Sequence, residues 1–304
     1  MGHDHGHGHG HGHARSYGRA FAAGIALNLG FVAIEAIYGV LSRSMALVAD
    51  AGHNLSDVLG LALAWGATAL AKQRPTKRRT YGLRGTTIMA SLANGLLLLV
   101  VTGGIAWEAL RRLWEPAPVA GVTVIVVASA GVLVNGVSAA LFLSGRKTDL
   151  NVRGAFLHLA ADAAVSLGVA VGGIVLHFTG KRWIDPLLSL GVCVVILAST
   201  WGLLRSSVNL ALAAVPDGVE PDDVKAYLAG LPGVVEVHDL HIWAMSTTET
   251  ALTAHLVMSA PCPPSFLADA GAGLESRFHI GHSTLQLEPP EAPDPCRLAP
   301  DEIV

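Results

Sequence analysis

The sequence predicts a polytopic α-helical membrane protein with six transmembrane helices and a cytoplasmic α+β domain at its C-terminal end. Of the 304 residues, 52% are hydrophobic and only 14% are charged, and the mean hydropathy is +0.51. A soluble globular domain carries roughly 25% charged residues, so this composition indicates a chain solvated largely by lipid. With a net charge of −3, the chain has no basic field to attract DNA or RNA, and we expect no nucleic-acid partner.

Six apolar stretches are long enough to cross a bilayer core, which takes about 20 mostly apolar residues in a helix. They are Phe21–Leu41, Met45–Ala71, Thr86–Ala109, Ala120–Leu143, Val152–Phe178 and Ile184–Leu204. The first stretch follows a polar tail and is itself long enough to span, so we expect no cleavable signal peptide.

Basic residues beside these stretches predict the orientation, because cytoplasmic loops of membrane proteins are enriched in Lys and Arg. Twelve such residues flank one set of helix ends, including Arg15, Lys77 and Arg205, whereas only five flank the other set. We therefore expect both termini in the cytoplasm, and we expect the protein in a bacterial inner membrane.

The character of the chain changes after Arg205, where charged residues return and no further stretch is long enough to span a bilayer. Two helix signals and three β-branched runs follow, in the order αββαβ of a small α+β sandwich. The helices are expected at 221–229 and 265–278, and the strands at 234–244, 249–258 and 282–288. The predicted division is a His-rich tail over 1–19, a transmembrane domain over 20–206, a cytoplasmic domain over 207–290 and a tail over 291–304.

The three cysteines, Cys193, Cys262 and Cys296, are odd in number and far apart in the chain. This spacing argues against a disulfide framework and against a zinc ribbon. We expect free thiols.

Ionisable side chains inside the apolar stretches are costly and therefore point to function. The second stretch contains His53 and Asp57, and the fifth contains His158 and Asp162. Residues four apart lie on one face of a helix, so each pair presents an imidazole beside a carboxylate. Two such pairs facing each other would supply the two nitrogens and two oxygens of a tetrahedral zinc site. A single His–Asp pair would suit a helix-stabilising hydrogen bond or a proton relay as well as a metal site. The presence of two such pairs on separate helices favours the metal site.

Three further polar residues lie in the apolar stretches. Asp50 lies near the face of His53, and we interpret it as a packing or supporting residue and not as a ligand. Glu35 and Asn94 are expected to be polar packing contacts, with lining of the ion path as the alternative.

These residues resemble the signatures of the cation diffusion facilitator family, in particular its zinc-transporting branch. The run SMALVADAGHNLSD, from Ser44 to Asp57, is similar to the family's second-helix signature, and NVRGAFLHLAAD, ending at Asp162, to its fifth-helix signature. Asp185 with the following proline, HDLHIW from His238 and TLQLE ending at Glu288 also resemble the family.

The resemblance implies six transmembrane helices, a ferredoxin-like cytoplasmic domain, a homodimer in the lipid bilayer, and proton-coupled export of divalent metal. The transport ligands would be His53, Asp57, His158 and Asp162, with Zn²⁺ and H⁺ as the exchanged ions. Protons and metal would compete for these groups in alternating access, since an unperturbed histidine pKa near 6.5 lies in the working range. Affinity alone does not separate zinc from Cd²⁺, Co²⁺ or Ni²⁺.

The sequence departs from the family pattern at several positions. Family members usually have a glutamate two residues after the arginine that corresponds to Arg84, and this chain lacks it. Some members bind a second metal ion between the second and third helices, but residues 72–84 contain no His, Asp or Glu, so we expect no metal site there. His238, His255 and Glu288 fall where some members bind a regulatory metal, but a further ligand position is occupied by Gln286. The alternative is that the two histidines are polar strand residues at the dimer interface.

The first 13 residues hold six of the 14 histidines, alternating mainly with glycine. Such a tract is typical of a flexible metal-binding segment. A purification tag is the alternative, but the regular glycines favour a native tail.

Two other classes of protein are less well supported. An intramembrane aspartyl protease would also place two aspartates at bilayer depth, but its Gly-x-Gly-Asp pattern does not occur, and neither does the HExxH of a zinc protease. A membrane metal sensor remains as an alternative that a transport assay would separate. We expect no enzymatic activity and no organic cofactor.

Overall fold

The computed structural model describes residues 28–143, 150–261 and 263–290. The chain divides into two compact units. Within the described residues, the first unit contains 28–59 and 97–199, and the second contains 60–96 and 200–290. The expected His-rich tail and the positions of Cys262 and Cys296 lie outside the described residues.

In the described residues, six helices precede the C-terminal domain, and five of them are long and apolar enough to cross a membrane. The helices are α1 (Asn28–Leu41), α2 (Met45–Ala71), α3 (Thr86–Trp114), α4 (Gly121–Leu141), α5 (Leu150–Thr179) and α6 (Ile184–Ala211). The described part of α1 is shorter than a span requires, and residues 21–27 of the predicted first stretch lie outside the description. The structure therefore gives a helical membrane domain with five candidate spans.

Two helices extend beyond the apolar stretches that predict them. The third apolar stretch ends at Ala109, but α3 continues to Trp114, and in this last part Glu108 accepts hydrogen bonds from Arg111 (2.9 Å) and Arg112 (3.0 Å). Similarly, α6 continues past Arg205 to Ala211. Hydropathy marks where a helix leaves the lipid, whereas backbone hydrogen bonding determines where the helix ends.

Glycines allow close helix contacts within the first unit. A Cβ on Gly173 of α5 would lie 3.1 Å from the side chains of Val124 and Ile125 on α4. A Cβ on Gly39 would lie 3.1 Å from the backbone nitrogen of Val48. Without a strong hydrophobic drive between helices in lipid, such small residues let backbones pack closely.

The start of α2 is held by a carboxylate from α6. Asp185 Oδ1 accepts a hydrogen bond from Ser44 Oγ at 2.5 Å, and Asp185 Oδ2 accepts one from the Met45 backbone N–H at 2.7 Å. Asp185 and Ser44 are both buried. The carboxylate therefore satisfies a helix N-terminus whose first amides have no partner within the helix.

The C-terminal domain contains α7 (Pro221–Ala229), β1 (Val234–Ala244), β2 (Thr250–Met258), α8 (Phe266–Phe278) and β3 (Ile280–Glu288). This order confirms the predicted αββαβ pattern, although β3 begins two residues earlier than expected. The strands form one sheet in the order β1-β2-β3, with β1 antiparallel and β3 parallel to β2. A parallel neighbour requires a crossover, which α8 provides. Leu228, Leu252, Leu256 and Leu274 are fully buried in its core.

The segment before α3 contacts the turn between β1 and β2 within the second unit. Arg84 Nη1 lies 2.7 Å from Glu249 Oε1, and the Thr247 backbone N–H donates to Thr87 Oγ1 at 3.1 Å. Arg84, which lacks the usual acid two residues later, thus has its carboxylate partner in the C-terminal domain.

Candidate metal site

Two membrane-length helices each carry a histidine and an aspartate four residues apart. On α2, His53 Nε2 lies 3.7 Å from Asp57 Oδ2. On α5, His158 Nε2 lies 3.5 Å from Asp162 Oδ2. Each pair faces the same way because four residues make just over one helical turn.

The two pairs also face each other. His53 Nε2 lies 3.7 Å from Asp162 Oδ1, and His158 Nε2 lies 3.4 Å from Asp57 Oδ2. Both imidazoles therefore approach both carboxylates. Ligand atoms bound at about 2.0–2.1 Å to a tetrahedral zinc ion are about 3.3–3.4 Å apart. The His-to-Asp separations are already close to this spacing.

Several side-chain oxygen and nitrogen atoms of this cluster have no hydrogen-bond partner among the described residues. They are Asp57 Oδ2, Asp162 Oδ2 and His53 Nδ1. The Asp162 side chain is 3% exposed, whereas that of His158 is 50% exposed, so the cluster is buried on one side and accessible on the other. Buried carboxylate oxygens without donors are costly, and a bound cation would relieve that cost.

A second cluster lies on the sheet of the C-terminal domain, with one residue from each strand. His255 Nδ1 lies 2.9 Å from Glu288 Oε1, and His238 Nε2 lies 3.4 Å from Glu288 Oε2. Their ligand atoms all lie within 4.8 Å of one another, and in the described part of the chain no other set of three such residues does so. The cluster on α2 and α5 is therefore the more widely spaced of the two. Each of its histidines is close to each of its aspartates, but no three of its residues bring their ligand atoms within 4.8 Å of one another.

Asp239 belongs to this second cluster, although we did not predict it from the sequence. Asp239 Oδ2 lies 3.4 Å from His255 Nε2, and its Oδ1 lies 2.7 Å from His241 Nε2. In a regular strand Asp239 and His238 would face opposite sides of the sheet. Here the register shifts between His238 and His241, and Asp239 has a positive φ of 50°. No sequence spacing indicates this irregularity.

Gln286, the expected further ligand position, lies beside the three ligand groups. It pairs with His255 across the strands, and its side-chain amide donates to Glu288 Oε1 at 2.9 Å. Gln286 therefore orients the carboxylate of Glu288.

Five helices of membrane-spanning length and a facing set of imidazoles and carboxylates point to an integral membrane protein that handles cations. Residues 21–210 match the family model described as the cation efflux transmembrane domain, and residues 216–290 match the cation efflux protein cytoplasmic domain. The chain therefore belongs to the cation efflux family. This membership confirms the predicted resemblance and the predicted function as a cation efflux transporter.

Bacterial relatives support this membership over most of the chain. The metal cation efflux system protein CzcD of Cupriavidus metallidurans is 37% identical over 89% of this chain and 86% of its own length. The zinc transporter ZitB of Escherichia coli is 34% identical over 98% of this chain and 96% of its own length. The cadmium, cobalt and zinc/H⁺-K⁺ antiporter of Bacillus subtilis is 33% identical over 85% of each chain.

Proposed function

We propose that this protein exports Zn²⁺ from the cytoplasm in exchange for protons, with His53, Asp57, His158 and Asp162 as the transport ligands. The observation that carries the proposal is that both imidazole Nε2 atoms lie within 3.7 Å of both carboxylates. Two imidazoles and two carboxylates are ligands that zinc accepts in tetrahedral geometry.

The same four groups explain why protons would oppose zinc. Imidazole binds metal only when neutral, and aspartate binds it best when ionised, so metal binding and protonation exclude each other. In alternating access, the site would take zinc and release protons on the cytoplasmic side. On the more acidic side, protons would displace the metal.

The choice of zinc is supported by the ligand set and by the relatives. One relative is named for zinc alone, and another for cadmium, cobalt and zinc with protons and potassium. Cd²⁺ or Co²⁺ is therefore the second candidate substrate, because imidazole and carboxylate also accept these ions. We propose no organic cofactor, no enzymatic activity and no nucleic-acid partner.

The proposed architecture has six transmembrane helices within residues 20–206 and a ferredoxin-like cytoplasmic domain within 207–290. The His-rich segment 1–19 and the tail 291–304 would both be cytoplasmic, in a homodimer in the bacterial inner membrane. This arrangement is supported by the basic residues on one set of helix ends, by the αββαβ order and by the family resemblance.

We further propose that His238, His255 and Glu288 hold a regulatory zinc ion. Both ring nitrogens of His238 are buried without a hydrogen bond in the described structure, so this histidine has a free ligand atom. The Glu288 carboxylate lies beside both histidines. A zinc ion there would link all three strands of the sheet.

Zinc flux into sealed vesicles tests the transport site. Asp57→Asn keeps the size of the side chain but removes one of two anionic ligands, and we expect zinc flux to fall below about a tenth of wild type. Asp269→Asn, the same change at an exposed position of α8, is the matched control and should transport normally. If Asp57→Asn keeps half or more of the flux, the four-ligand site is wrong.

The driving force needs a separate measurement. An imposed pH gradient should drive zinc accumulation in vesicles, and a protonophore should stop it. Accumulation that persists without a gradient and requires ATP would exclude proton antiport. A folded, zinc-binding protein with no flux under any gradient would favour a metal sensor.

A further inference from the structure

Two carboxylic acids lie together in the membrane domain beside the proposed zinc ligands. Glu35 on α1 and Asp50 on α2 lie within hydrogen-bonding range of each other. Both residues have no exposed surface. Asp50 precedes His53 by three residues on the same helix, so the pair lies about one turn from the zinc ligands.

Each acid receives one hydrogen bond from a neighbouring side chain. Ser166 Oγ on α5 donates to Asp50 Oδ2 at 2.9 Å, and Asn54 Nδ2 donates to Glu35 Oε2 at 3.4 Å. The remaining oxygens, Glu35 Oε1 and Asp50 Oδ1, are buried and have no donor in the described structure. One oxygen of each acid is therefore left without a hydrogen-bond donor.

The charged groups around the pair do not neutralise two carboxylates. Those that act on it are His53 on α2 and Asp162 on α5, both among the proposed zinc ligands. No lysine or arginine in the described residues forms an ion pair with either acid. Two adjacent carboxylates in a low-dielectric interior cannot both be ionised cheaply, and a shared proton is the usual solution.

We propose that Glu35 and Asp50 share one proton and form a proton-binding site that is separate from the four zinc ligands. This inference rests on the proposed zinc–proton exchange and identifies where one of the exchanged protons is held. The proton is held between the two carboxyl groups, each of which has one oxygen without a donor in the described structure. Ser166 and Asn54 hold the other two oxygens in place.

Charge couples this site to the zinc site. A divalent ion bound to His53 and Asp162 brings two positive charges close to the pair, which favours the doubly ionised form and expels the shared proton. Because coupling between two binding sites is reciprocal, reprotonation of the pair weakens zinc binding. The pair therefore contributes to exchange without touching the metal.

Amide substitutions separate this site from the ligands. In Glu35→Gln or Asp50→Asn, an amide N–H can donate to the remaining carboxylate and replace the shared proton. Either variant should bind zinc but release one proton fewer per zinc ion. The double variant should also release only one fewer, because both acids hold the same proton. Glu108→Gln, the same chemical change at a carboxylate on α3, is the matched control and should release the wild-type number.

The measurement is calorimetric zinc titration of the purified full-length protein, in buffers of different ionisation enthalpy at about pH 6.5, near the histidine range. Wild-type proton release by Glu35→Gln would overturn the proposal, as would a loss of two protons in the double variant. An Asp57→Asn variant that binds as many zinc ions per chain as wild type would instead contradict the proposed transport site, so the two failures are distinguishable.

A second measurement tests the proposal on the wild-type protein, in case the variants do not fold. Infrared difference spectra of the wild-type protein should lose a protonated-carboxyl carbonyl band when zinc is added. The conservative variant Glu35→Asp, which keeps a carboxyl group, should keep the band with a changed frequency. Absence of any such band in the wild type, or an unchanged band in Glu35→Asp and Glu35→Gln, would overturn the proposal.

Discussion

The two clusters of metal-ligating side chains differ in how they are built. The cluster on α2 and α5 uses two helices, and its close contacts, 3.4 to 3.7 Å, join imidazoles to carboxylates. The cluster on the sheet uses three strands and is compact within 4.8 Å. An open ring of ligands suits an ion that must enter and leave, whereas a compact set suits an ion that stays. We therefore interpret the first as a site of passage and the second as a site of regulation.

Removing one ligand from each cluster is the strongest test of this difference. We expect Asp162→Ala to reduce zinc flux more than about tenfold, because it removes an anionic ligand that is almost fully buried. His255→Ala in the sheet cluster should reduce flux at saturating zinc by less than about threefold, since a regulatory site adjusts the rate without carrying the ion. Vesicle uptake at matched protein content measures both. Equal losses would remove the functional distinction between the clusters.

Ion selectivity should follow only one of the clusters. His53→Asp replaces a borderline nitrogen ligand with a harder oxygen and adds a negative charge, which should relax the preference for zinc over larger ions. We expect the zinc-to-cadmium flux ratio to fall by about tenfold. The ratio should be unchanged in His238→Ala. A His53→Asp variant with the wild-type ratio would show that selectivity arises outside the transport ligands.

Zinc bound at equilibrium provides a third comparison. In the full-length protein, Asp57→Asn and His238→Ala should each lose one bound zinc ion per chain, and the double variant should lose both. Removing excess zinc should lower the melting temperature of wild type more than that of His238→Ala, because ligand binding to the folded state stabilises it by mass action. If His238→Ala binds as much zinc as wild type, the histidines of the sheet are polar strand residues.

The smallest effect is expected from the His-rich tail. Deleting residues 2–13 removes six histidines that can capture metal but are not among the transport ligands. Tethered capture raises the local metal concentration, so the maximal zinc flux should stay within about twofold while half-maximal flux requires more zinc. A deletion variant that is expressed normally but inactive at saturating zinc would place the tail in the transport step.

The side-by-side placement of the proposed transport ligands could be predicted from the sequence because helical spacing alone determines their face. His53 and Asp57, like His158 and Asp162, need only an intact helix to lie side by side. The spacing within one helix does not show that the two helices lie side by side. The occurrence of the same His-x-x-x-Asp motif on both helices indicated it. The same local logic predicted the αββαβ order, since strand and helix periods differ.

Other features depended on contacts that no local pattern records. Asp239 reaches His255 only because the strand register shifts between His238 and His241. Glu35 and Asp50 lie on different helices with no shared motif, so their proximity followed only from packing. The ends of α3 and α6 lie beyond the apolar stretches because polar and charged residues can continue a helix after the apolar stretch has ended.

The carboxylate of Asp185 at the start of α2 has a consequence for motion. The first amides of a helix normally exchange their hydrogens with solvent rapidly, because no carbonyl within the helix protects them. Here the Met45 amide is bound to a buried carboxylate on α6, so its deuterium uptake should be slow for a helix terminus. Because α2 is held at Met45, its N-terminal end would stay in place when the helix tilts. Its rotation would move Asp57, three turns away, much farther than it moves Ser44.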